Sequence, residues 1–587
     1  MIWWVTQSGR AANERLWLAD LERRAAWLAN VRWRLDDELN LTADFEIIIS
    51  DSEVFPLTIQ YPSFFPDAPP LVIPRDRNRI SGHQYGEGGE LCLEWRPDNW
   101  EASVTGAMMV ESAYRLIAGE RGASTAEGDE RPEVISAHET TFAQEIRTSS
   151  CRLILTPPAK AALAAIPELE VVPAQLSEKR YAETWTAYVT RVGAPDGQGW
   201  SEMPPINDGA KYEAVAIRLP AGTTIPYPLS LDAVAELFQR LGMPECLAIL
   251  QKDDEASNWL IVDDHSCRLL MVFARDKDKR LAIPYCTVPI STDPAPRLPA
   301  ANEALAGKRV GIVGCGSIGS KVAVSLCRSG ITTFTLVDGD LLLPENLVRN
   351  ELDWRAVGVH KVNAVRERIL EVAPGASVTA FDIELGGQES AKMTSLVMSA
   401  LSCCDLIVEA TADPGAFNLC AAVARSREKP MVWAEVFGGG IGGIVARSRP
   451  GIEPPPQVAR RQINDWCSSH GILTDFAVTE RPYTALGPEQ APMIADDGDV
   501  SVVAASLARL AIDTIARPES SLFPQSAYAV GLSTGWIFAA PFDTWPIELA
   551  YEDGWGGGSA EFDEEGLKSL LADLFPRTVG DAGQSSV

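Results

Sequence analysis

Gly314, Gly316 and Gly319 form the clearest group of residues that could bind a nucleotide. They lie in VGIVGCGSIGSKVAVSLC, between an apolar stretch typical of a strand and an amphipathic stretch typical of a helix. In such a turn, backbone amides and the positive end of the helix dipole can face a phosphate. Asp338 ends the next predicted strand. A carboxylate there could accept hydrogen bonds from a ribose hydroxyl, in either an NAD or an ATP site.

Polar and basic residues follow this strand. The stretch DGDLLLPENLVRNELDWRAVGVHKVNA contains Asn346, Arg349 and Lys361. An enzyme in which a carboxylate attacks the α-phosphate of ATP needs cations there, because negative charge accumulates and pyrophosphate must leave. Hydride transfer has little use for them. The pattern therefore favours adenylation over a dehydrogenase, although an isolated pair of basic residues on a helix is most often solvated.

Taken in order, these motifs resemble those of the ThiF-type adenylating enzymes, which include ubiquitin-activating enzymes and activators of sulfur-carrier proteins. The resemblance covers roughly residues 300–545 and consists of a glycine fingerprint, Asp-x-Asp, Asn-x-x-Arg and Gly-x-x-Lys. It implies a Rossmann-like adenylating fold, ATP binding, catalytic cations and a homodimer formed through the adenylating domains. The residues that it implies for the nucleotide site are Gly314, Gly316, Gly319, Asp338, Asp340, Asn346, Arg349 and Lys361, the last two being catalytic.

The same resemblance implies a magnesium-binding aspartate at the end of a later strand. The sequence DLIVEATADP offers Asp413, with Glu409 as the nearby alternative. A carboxylate there would hold Mg²⁺ against the ATP phosphates, because Mg²⁺ prefers oxygen ligands. However, Asp413 precedes Pro414, where an aspartate also commonly caps a helix. Both interpretations remain open on the sequence.

A long stretch after the predicted strand MVWAEVFGGGIGGIVARSR contains one thiol, that of Cys467. We predict this stretch to be irregular, and long loops in compact domains are usually functional. In ubiquitin-activating enzymes this crossover region carries the cysteine that takes the acyl group from the adenylate, so the resemblance implies that role for Cys467. Such a thiol should be exposed and near positive charge, and Arg460, Arg461 and His470 are close in sequence. Considered without the family, a lone cysteine is more often buried and inert.

A second group of residues surrounds Cys92. The segments YPSFFPDAPP and ELCLEWRPDNWEASVT resemble the ubiquitin-conjugating fold over roughly residues 15–120, with Trp100 matching its tryptophan after the cysteine. The resemblance implies that Cys92 carries a thioester on an exposed loop. The His-Pro-Asn of that fold is not intact, because HQY stands at His83–Tyr85, and Gln84 could replace the asparagine as an oxyanion donor. Prolines that merely shape an edge turn are the alternative.

Composition limits the compartment and the partners. A net charge of -29 argues against nucleic acid as a partner. The eleven cysteines show no paired spacing, which predicts neither a disulfide framework nor a four-cysteine zinc site and is typical of a reducing cytoplasm. We predict no signal peptide and no membrane span, since no window of 18 apolar residues occurs.

The elements that must position these residues fall into three segments, separated by composition breaks at residues 120–133 and 291–307. We predict a ubiquitin-conjugating-like α+β domain at 1–125 and a linker at 126–150. A mixed α+β middle domain at 151–295 would be a degenerate adenylating-like domain or a scaffold. The predicted ThiF-type α/β domain spans 300–550, with a crossover loop near 450–495, and a C-terminal extension and tail follow at 551–587.

Hydrophobic periodicity predicts individual elements within these segments. A helix is expected over Ala11–Arg34. In the third segment, a strand at Arg309–Val313, a helix at Ser317–Ser329 and a strand at Thr333–Asp338 give the βαβ rhythm of a parallel sheet. The middle segment combines the strand-like runs KYEAVAIRL and CRLLMVFAR with one helix, LDAVAELFQRLG.

A conjugating-type domain followed by an adenylating-type domain resembles the fusion proteins of bacterial CBASS antiphage operons, which join the C-terminus of a cGAS-like nucleotidyltransferase to target molecules. The resemblance implies that ATP and Mg²⁺ convert a protein C-terminus to an acyl-adenylate. The acyl group would pass to Cys467, then to Cys92, and finally to an amine on a target. The alternatives are activation of a sulfur-carrier or other ubiquitin-like protein outside CBASS, a nucleotide-binding scaffold without chemistry and, more remotely, a dehydrogenase.

Overall fold

The computed structural model describes residues 2–86, 88–121, 146, 149–194, 199–202, 209–226, 229–252, 254–274, 280–290, 298–437, 440–471, 495–556 and 563–575. Most of the predicted linker, residues 472–494 of the predicted crossover loop and the tail after residue 575 lie outside the described residues. The chain divides into two compact units. One comprises Met1–Arg152 with Tyr285–Val288, and the other comprises Leu153–Pro284 with Pro289–Val587.

The first unit is an α+β fold built on an antiparallel sheet. It begins with helices α1 (Trp3–Thr6) and α2 (Ser8–Arg24). The sheet has the order β1-β2-β3-β4, with strands β1 (Leu28–Leu35), β2 (Leu41–Ser50), β3 (Glu53–Gln60) and β4 (Leu71–Pro74). A short hairpin of β5 (Gln84–Tyr85) and β6 (Glu90–Leu91) precedes α3 (Gly106–Arg121). Alternate residues of the strands face the helices and form the core, which includes Leu18, Phe45, Ile47, Leu57 and Val110.

The helix predicted over Ala11–Arg34 is wrong in its second half. Helix α2 ends at Arg24, and Leu28–Leu35 forms strand β1. In this strand Val31 and Trp33 alternate with arginines, a period of two that suits a half-buried strand better than a helix. Pairing with β2 supplies the backbone hydrogen bonds, and such pairing between distant segments overrides local helix propensity.

The second unit opens with strands interrupted by short helices. In chain order these are β7 (Cys151–Leu155), α4 (Pro157–Ala164), β8 (Val171–Tyr181), β9 (Thr184–Gly193), β10 (Gly199–Ser201), β11 (Ala210–Arg218), α5 (Leu231–Arg240), α6 (Pro244–Gln251), β12 (Ser257–Val262), β13 (Cys267–Val272) and β14 (Ala282–Pro289). The division between the units falls within β7 and β14. Helix α5 packs Phe238 against Trp259 of β12. The predicted middle-segment strands and helix are confirmed as β11, β13 and α5.

The remainder of this unit is a doubly wound α/β fold. Its elements are β15 (Arg309–Val313), α7 (Ser317–Arg328), β16 (Thr333–Val337), α8 (Lys361–Val372), β17 (Ser377–Phe381), α9 (Ala391–Ser402), β18 (Leu406–Glu409), α10 (Pro414–Ser426), β19 (Met431–Phe437), β20 (Gly442–Ser448), α11 (Pro456–Ser469), α12 (Asp497–Ala516), β21 (Ala527–Gly531), β22 (Thr544–Ile547) and α13 (Glu564–Leu574). Short 3₁₀ turns occur at Ala300–Leu305, Pro344–Val348 and Trp354–Ala356. The predicted multidomain combination of α+β and α/β folds is confirmed.

The order of the strands creates a crevice. The sheet runs β17-β16-β15-β18-β19-β20-β21-β22, and the first five strands are parallel. The chain leaves β15 in one direction, through β16 and β17, and returns to the other side of β15 as β18. In such sheets the crevice outside the carboxyl ends of the strands, at the point where the order reverses, is the usual ligand site.

Two layers of helices cover the sheet. Helices α7, α8 and α12 pack on one face through residues such as Val322, Val365 and Leu507. Helices α9, α10 and α11 pack on the other through residues such as Val397, Phe417 and Ile463. Burial on both faces explains why the central strands read as continuous apolar runs. Among the helices that the structure describes, none combines the length and apolar character that a membrane span requires.

Candidate active site

A cavity of about 380 Å³ opens at the carboxyl ends of β15, β16, β18 and β19. The ends of neighbouring parallel strands meet at one edge of the sheet, so the topology gathers residues that four separate motifs contribute. The predicted site residues that line the cavity are Gly314, Gly316, Asp338, Asp340, Arg349, Lys361 and Asp413. Two others, Gly319 and Asn346, shape the walls without being part of the lining.

The three glycines serve different purposes. Gly314 has a φ of +90°, and a Cβ atom there would lie 2.8 Å from the backbone of Ala410. A Cβ atom on Gly319 would lie 1.8 Å from the carbonyl oxygen of Gly314, so this glycine lets helix α7 approach β15. Gly316 is the N-cap of α7 and has no heavy atom within 4 Å of its Cβ position. The space beside Gly316 therefore suits a phosphate approaching the helix N-terminus.

The crowding at Gly319 and the open space at Gly316 predict different effects for their alanine substitutions, one on stability and the other on ATP binding. Gly319→Ala should lower the melting temperature sharply, because the new methyl group overlaps backbone that cannot move independently. Gly316→Ala should leave the melting temperature nearly unchanged and weaken ATP binding about tenfold or more, because the methyl group occupies the phosphate approach. Thermal unfolding and calorimetric titration with ATP measure the two effects. Normal ATP affinity in Gly316→Ala would contradict the phosphate assignment.

Asp338 is held by the glycine turn and its own loop. Its Oδ2 accepts a hydrogen bond from the backbone N of Cys315 at 2.6 Å, and its Oδ1 accepts one from the N of Asp340 at 2.8 Å. Burial raises the pKa of this carboxyl, and the two amide donors oppose the rise. Each carboxylate oxygen can accept a second hydrogen bond. The carboxylate is therefore held in the cavity wall, where it can accept a hydrogen bond from a ribose hydroxyl.

The predicted cations also lie in the cavity wall. Lys361 begins helix α8 and is only 7% exposed, and its Nζ lies 2.8 Å from Asp340 Oδ2. Arg349 follows the 3₁₀ turn Pro344–Val348. The side chain of Asn346 accepts a hydrogen bond from Leu343 N at 2.9 Å within that turn, and the Asn346 carbonyl accepts one from Arg349 N at 3.2 Å. Asn346 thus positions the loop that delivers Arg349.

Asp413 caps helix α10. Its Oδ1 accepts a hydrogen bond from Ala416 N at 2.7 Å, so the capping interpretation is confirmed, and the residue also lines the cavity. Among the described residues, no group of three or more His, Cys, Asp or Glu side chains could hold a metal ion. Mg²⁺ that arrives with ATP takes most of its ligands from phosphate and water, so a single carboxylate is sufficient. The donor set around Asp413 fits that kind of site.

Two glutamates lie at or behind the cavity wall, of which Glu435 was not predicted and Glu409 was predicted only as an alternative metal ligand. Glu409, the alternative metal ligand, is 1% exposed behind the lining, and Thr411 donates to it through both its amide and its hydroxyl. Burial raises the Glu409 pKa to about 7. Glu435 lines the cavity and pairs with Arg460 of α11, with 2.7 Å between Oε1 and Nη2. A charged residue at the carboxyl end of an apolar parallel strand was the sequence signal for both.

Cys467 is not in the environment that we expected. It lies within helix α11 rather than in an irregular loop, and its side chain is fully buried. Ala459, Ile463 and Cys467 recur every four residues and together form the buried face of that helix. Burial raises the Cys467 pKa to about 11, and the charge of Glu435 adds to the effect. The prediction of an exposed, activated thiol is therefore wrong for the described state.

This burial gives a direct prediction for thiol reactivity. At pH 8 a group with a pKa of about 11 is only ~0.1% thiolate, and the thiolate is the nucleophile. Cys467 should therefore be alkylated by iodoacetamide at least about 100-fold more slowly than exposed Cys403. Peptide mass spectrometry of time points measures both rates in one sample. Rapid alkylation of Cys467 in the resting protein would contradict the buried position.

Cys92 occupies a different setting in the first unit. It directly follows β6, is half-buried, and its backbone N donates to His83 O at 2.8 Å. Partial burial raises the pKa of the Cys92 thiol, and the nearby guanidinium of Arg96 opposes the rise. The Nε1 of Trp100 donates to the carbonyl of Pro66 at 2.8 Å and so ties the proline-rich turn to the segment after the cysteine.

Gln84 does not replace the missing asparagine. Its Oε1 accepts hydrogen bonds from Ile80 N at 2.6 Å and Ser81 N at 2.9 Å. Its Nε2 donates to the carbonyl oxygens of Asn78 at 3.3 Å and Gly89 at 2.8 Å. The carboxamide therefore holds the loop together, and its donors are already engaged.

Comparison with known proteins agrees with the geometry of the second unit. Residues 297–454 match the ThiF family. The protein y4oA of Sinorhizobium fredii is 33% identical over 175 residues, which cover 28% of this chain and 29% of that protein. A second S. fredii protein, y4qC, is 24% identical over 545 residues, which cover 87% of this chain and 88% of that protein.

A relative with a descriptive name matches a shorter stretch. The ATP-dependent ubiquitin transferase-like protein Cap2 of Enterobacter hormaechei is 33% identical over 133 residues, which are 23% of this chain and 21% of Cap2. This chain thus spans less than a third of the length of y4oA and of Cap2, and most of y4qC. The residues 297–454 that match the ThiF family contain the glycine turn, both cations and the Asp413 cap.

Proposed function

We propose that this protein activates the C-terminal carboxylate of a protein or peptide with ATP and transfers the acyl group to Cys92 for conjugation to an amine. The observation that carries the proposal is the single cavity that combines a helix N-terminus at Gly316 with Asp338, Arg349 and Lys361. A hydride-transfer site has no need of two cations at that point, whereas attack on the α-phosphate does. The similarity to Cap2, named as ubiquitin transferase-like, supports the same reaction class.

In the first step, a substrate carboxylate oxygen attacks the α-phosphate of ATP, an O–P bond forms, and the bond to pyrophosphate breaks. Arg349 and Lys361 would stabilise the added negative charge, and Asp338 would orient the ribose. Asp413 would hold Mg²⁺, which helps to neutralise the phosphates. In the second step, a thiolate attacks the acyl carbon and AMP leaves, which gives a thioester. An amine then displaces the thiolate.

An intermediate thioester on Cys467 is a separate step of the proposal. It requires helix α11 to expose the thiol, because Cys467 is buried in the described state. We also propose, from the resemblance, that the adenylating domains form a homodimer and that the activated carboxylate belongs to a cGAS-like nucleotidyltransferase in antiphage defence. Light scattering tests the dimer, and adduct formation with that protein tests the partner.

The decisive experiment combines pyrophosphate exchange with intact-protein mass spectrometry. The full chain is incubated with ATP, Mg²⁺ and candidate partners encoded beside it, and the adduct mass is mapped. We expect partner-dependent exchange and a thioester adduct on Cys92 that added thiols cleave. If exchange occurs without any thioester, and Cys92→Ala gives the same product as the wild type, the result would instead favour activation of a sulfur-carrier protein. Absence of exchange with every partner that binds would refute adenylation.

A further inference from the structure

The turn that carries Asp413 to the cavity is held by a glutamate buried behind it. Strand β18 ends at Glu409, whose side chain is 1% exposed, and helix α10 begins at Pro414. Thr411 lies between them and donates to Glu409 Oε1 twice, through its backbone N at 2.8 Å and through its hydroxyl. The same hydroxyl oxygen accepts a hydrogen bond from Asp413 N at 2.9 Å. A continuous chain of hydrogen bonds therefore runs from the buried carboxylate to the backbone of Asp413.

These hydrogen bonds hold a backbone conformation that the local sequence does not favour. Ala412 has a φ of +58°, in the left-handed region that residues with a Cβ atom rarely adopt. Such a conformation persists only where the surrounding contacts hold it. Thr411 holds the turn on one side, and on the other Asp413 Oδ1 accepts a hydrogen bond from Ala416 N at 2.7 Å. The orientation of the Asp413 carboxylate therefore depends on residues that precede it in the turn.

We propose that Glu409 and Thr411 position Asp413 for the Mg²⁺ that arrives with ATP. This inference rests on the proposed function, in which Asp413 holds that ion. Glu409 acts from behind the cavity lining, and the Thr411 hydroxyl links it to Asp413 by donating to one and accepting from the other. Groups that orient a metal ligand commonly contribute about 10–100-fold to metal affinity. Because a single carboxylate is assigned to the ion here, misorienting Asp413 should weaken the whole site.

The test compares ATP affinity in Mg²⁺ with ATP affinity in EDTA, both measured by calorimetric titration. Thr411→Val keeps the size of the side chain and removes the hydroxyl, so the ratio of the two affinities should fall about tenfold. Thr411→Ser restores the hydroxyl without the methyl group and should restore the ratio. Glu409→Gln keeps an oxygen that can accept both hydrogen bonds and should also keep the ratio, whereas Glu409→Leu should lower it.

Thr156 provides a matched control. Its hydroxyl donates to Glu202 at 3.1 Å and accepts from Ala159 N at 3.3 Å, which is the same pattern at the start of α4, and it does not line the cavity. Thr156→Val should therefore bind ATP with the wild-type ratio. Thermal unfolding of every variant identifies any that folds poorly, and if Glu409→Leu does so, the two Thr411 variants decide the question.

Three results would overturn the inference. The first is a wild-type ratio in Thr411→Val, and the second is an equal loss of affinity in Mg²⁺ and in EDTA, which would assign Thr411 to the shape of the cavity. The third is a loss in Glu409→Gln as large as in Glu409→Leu, which would make the charge of Glu409 the determinant. Each leaves adenylation intact, whereas a wild-type protein that binds no ATP would refute the proposed function itself.

Discussion

Replacing Cys92 with alanine should abolish conjugation while leaving ATP–pyrophosphate exchange at the wild-type rate. Cys92 is a half-buried thiol that directly follows strand β6 near Arg96, and in the proposed function the acyl group passes from the adenylate to its thiolate before an amine takes it. The nucleotide cavity is built from other residues in the other unit, so its chemistry should not change. Exchange of labelled pyrophosphate and gel analysis of the conjugate measure the two halves separately.

Two companion variants sharpen this prediction. Cys92→Ser should trap the acyl group as an ester that resists reducing agents, because an alkoxide is a poorer leaving group than a thiolate. Cys151→Ala removes another half-buried thiol of the same unit and should conjugate normally. Conjugation by Cys92→Ala at more than a few per cent of the wild-type rate would rule out Cys92 as the final carrier.

Replacing Lys361 with methionine should lower the exchange rate by about 10²–10³-fold, the usual effect of removing one preorganised donor from a developing anion. The ammonium group is buried in the cavity wall and held 2.8 Å from Asp340, so it needs no reorganisation when charge develops. Methionine keeps much of the apolar stem and its packing. The Asp340 side chain is 75% exposed, so its carboxylate stays solvated when the Lys361 ammonium group is removed. The free energy of unfolding should therefore change little.

A matched control distinguishes the loss of a lysine in the cavity wall from the loss of a buried lysine elsewhere. Lys321 is nearly as buried as Lys361 and lies 2.8 Å from Asp497, but it does not line the cavity. Lys321→Met should therefore retain near-normal exchange. Measuring both variants for exchange and thermal unfolding decides between a catalytic and a structural role. Equal exchange rates in the two variants would remove Lys361 from the adenylation step.

The elements of the α/β part were predicted well because the local residue patterns agree with the order of strands and helices in that fold. Apolar runs, a glycine turn and an amphipathic helix repeat in the βαβ rhythm, and β15, α7 and β16 appear within one residue of their predicted bounds. The motif order also predicted that these residues would meet, since residues after parallel strands converge at one sheet edge whatever the details of packing. Seven of the nine predicted nucleotide-site residues line the cavity for that reason.

Other features depended on contacts between distant segments. Pairing with β2 turned the predicted end of a helix into strand β1, and packing against the sheet buried Cys467 in a helix that begins after a proline-rich stretch. The hydrogen bonds of Gln84 to its own loop turned the apparent oxyanion donor into a structural residue. In each case the residue type was compatible with several environments.

Motif order and hydrophobic periodicity were therefore enough to predict the glycine turn, the elements around it and the chemical types available for nucleotide binding. Which side chains meet depends on contacts between distant segments. The tertiary structure placed Glu435 in the lining of the cavity and buried Cys467 in a helix. The physical reason is that periodicity reports which face of an element is apolar, whereas burial, register and hydrogen-bond partners depend on residues far away in the chain.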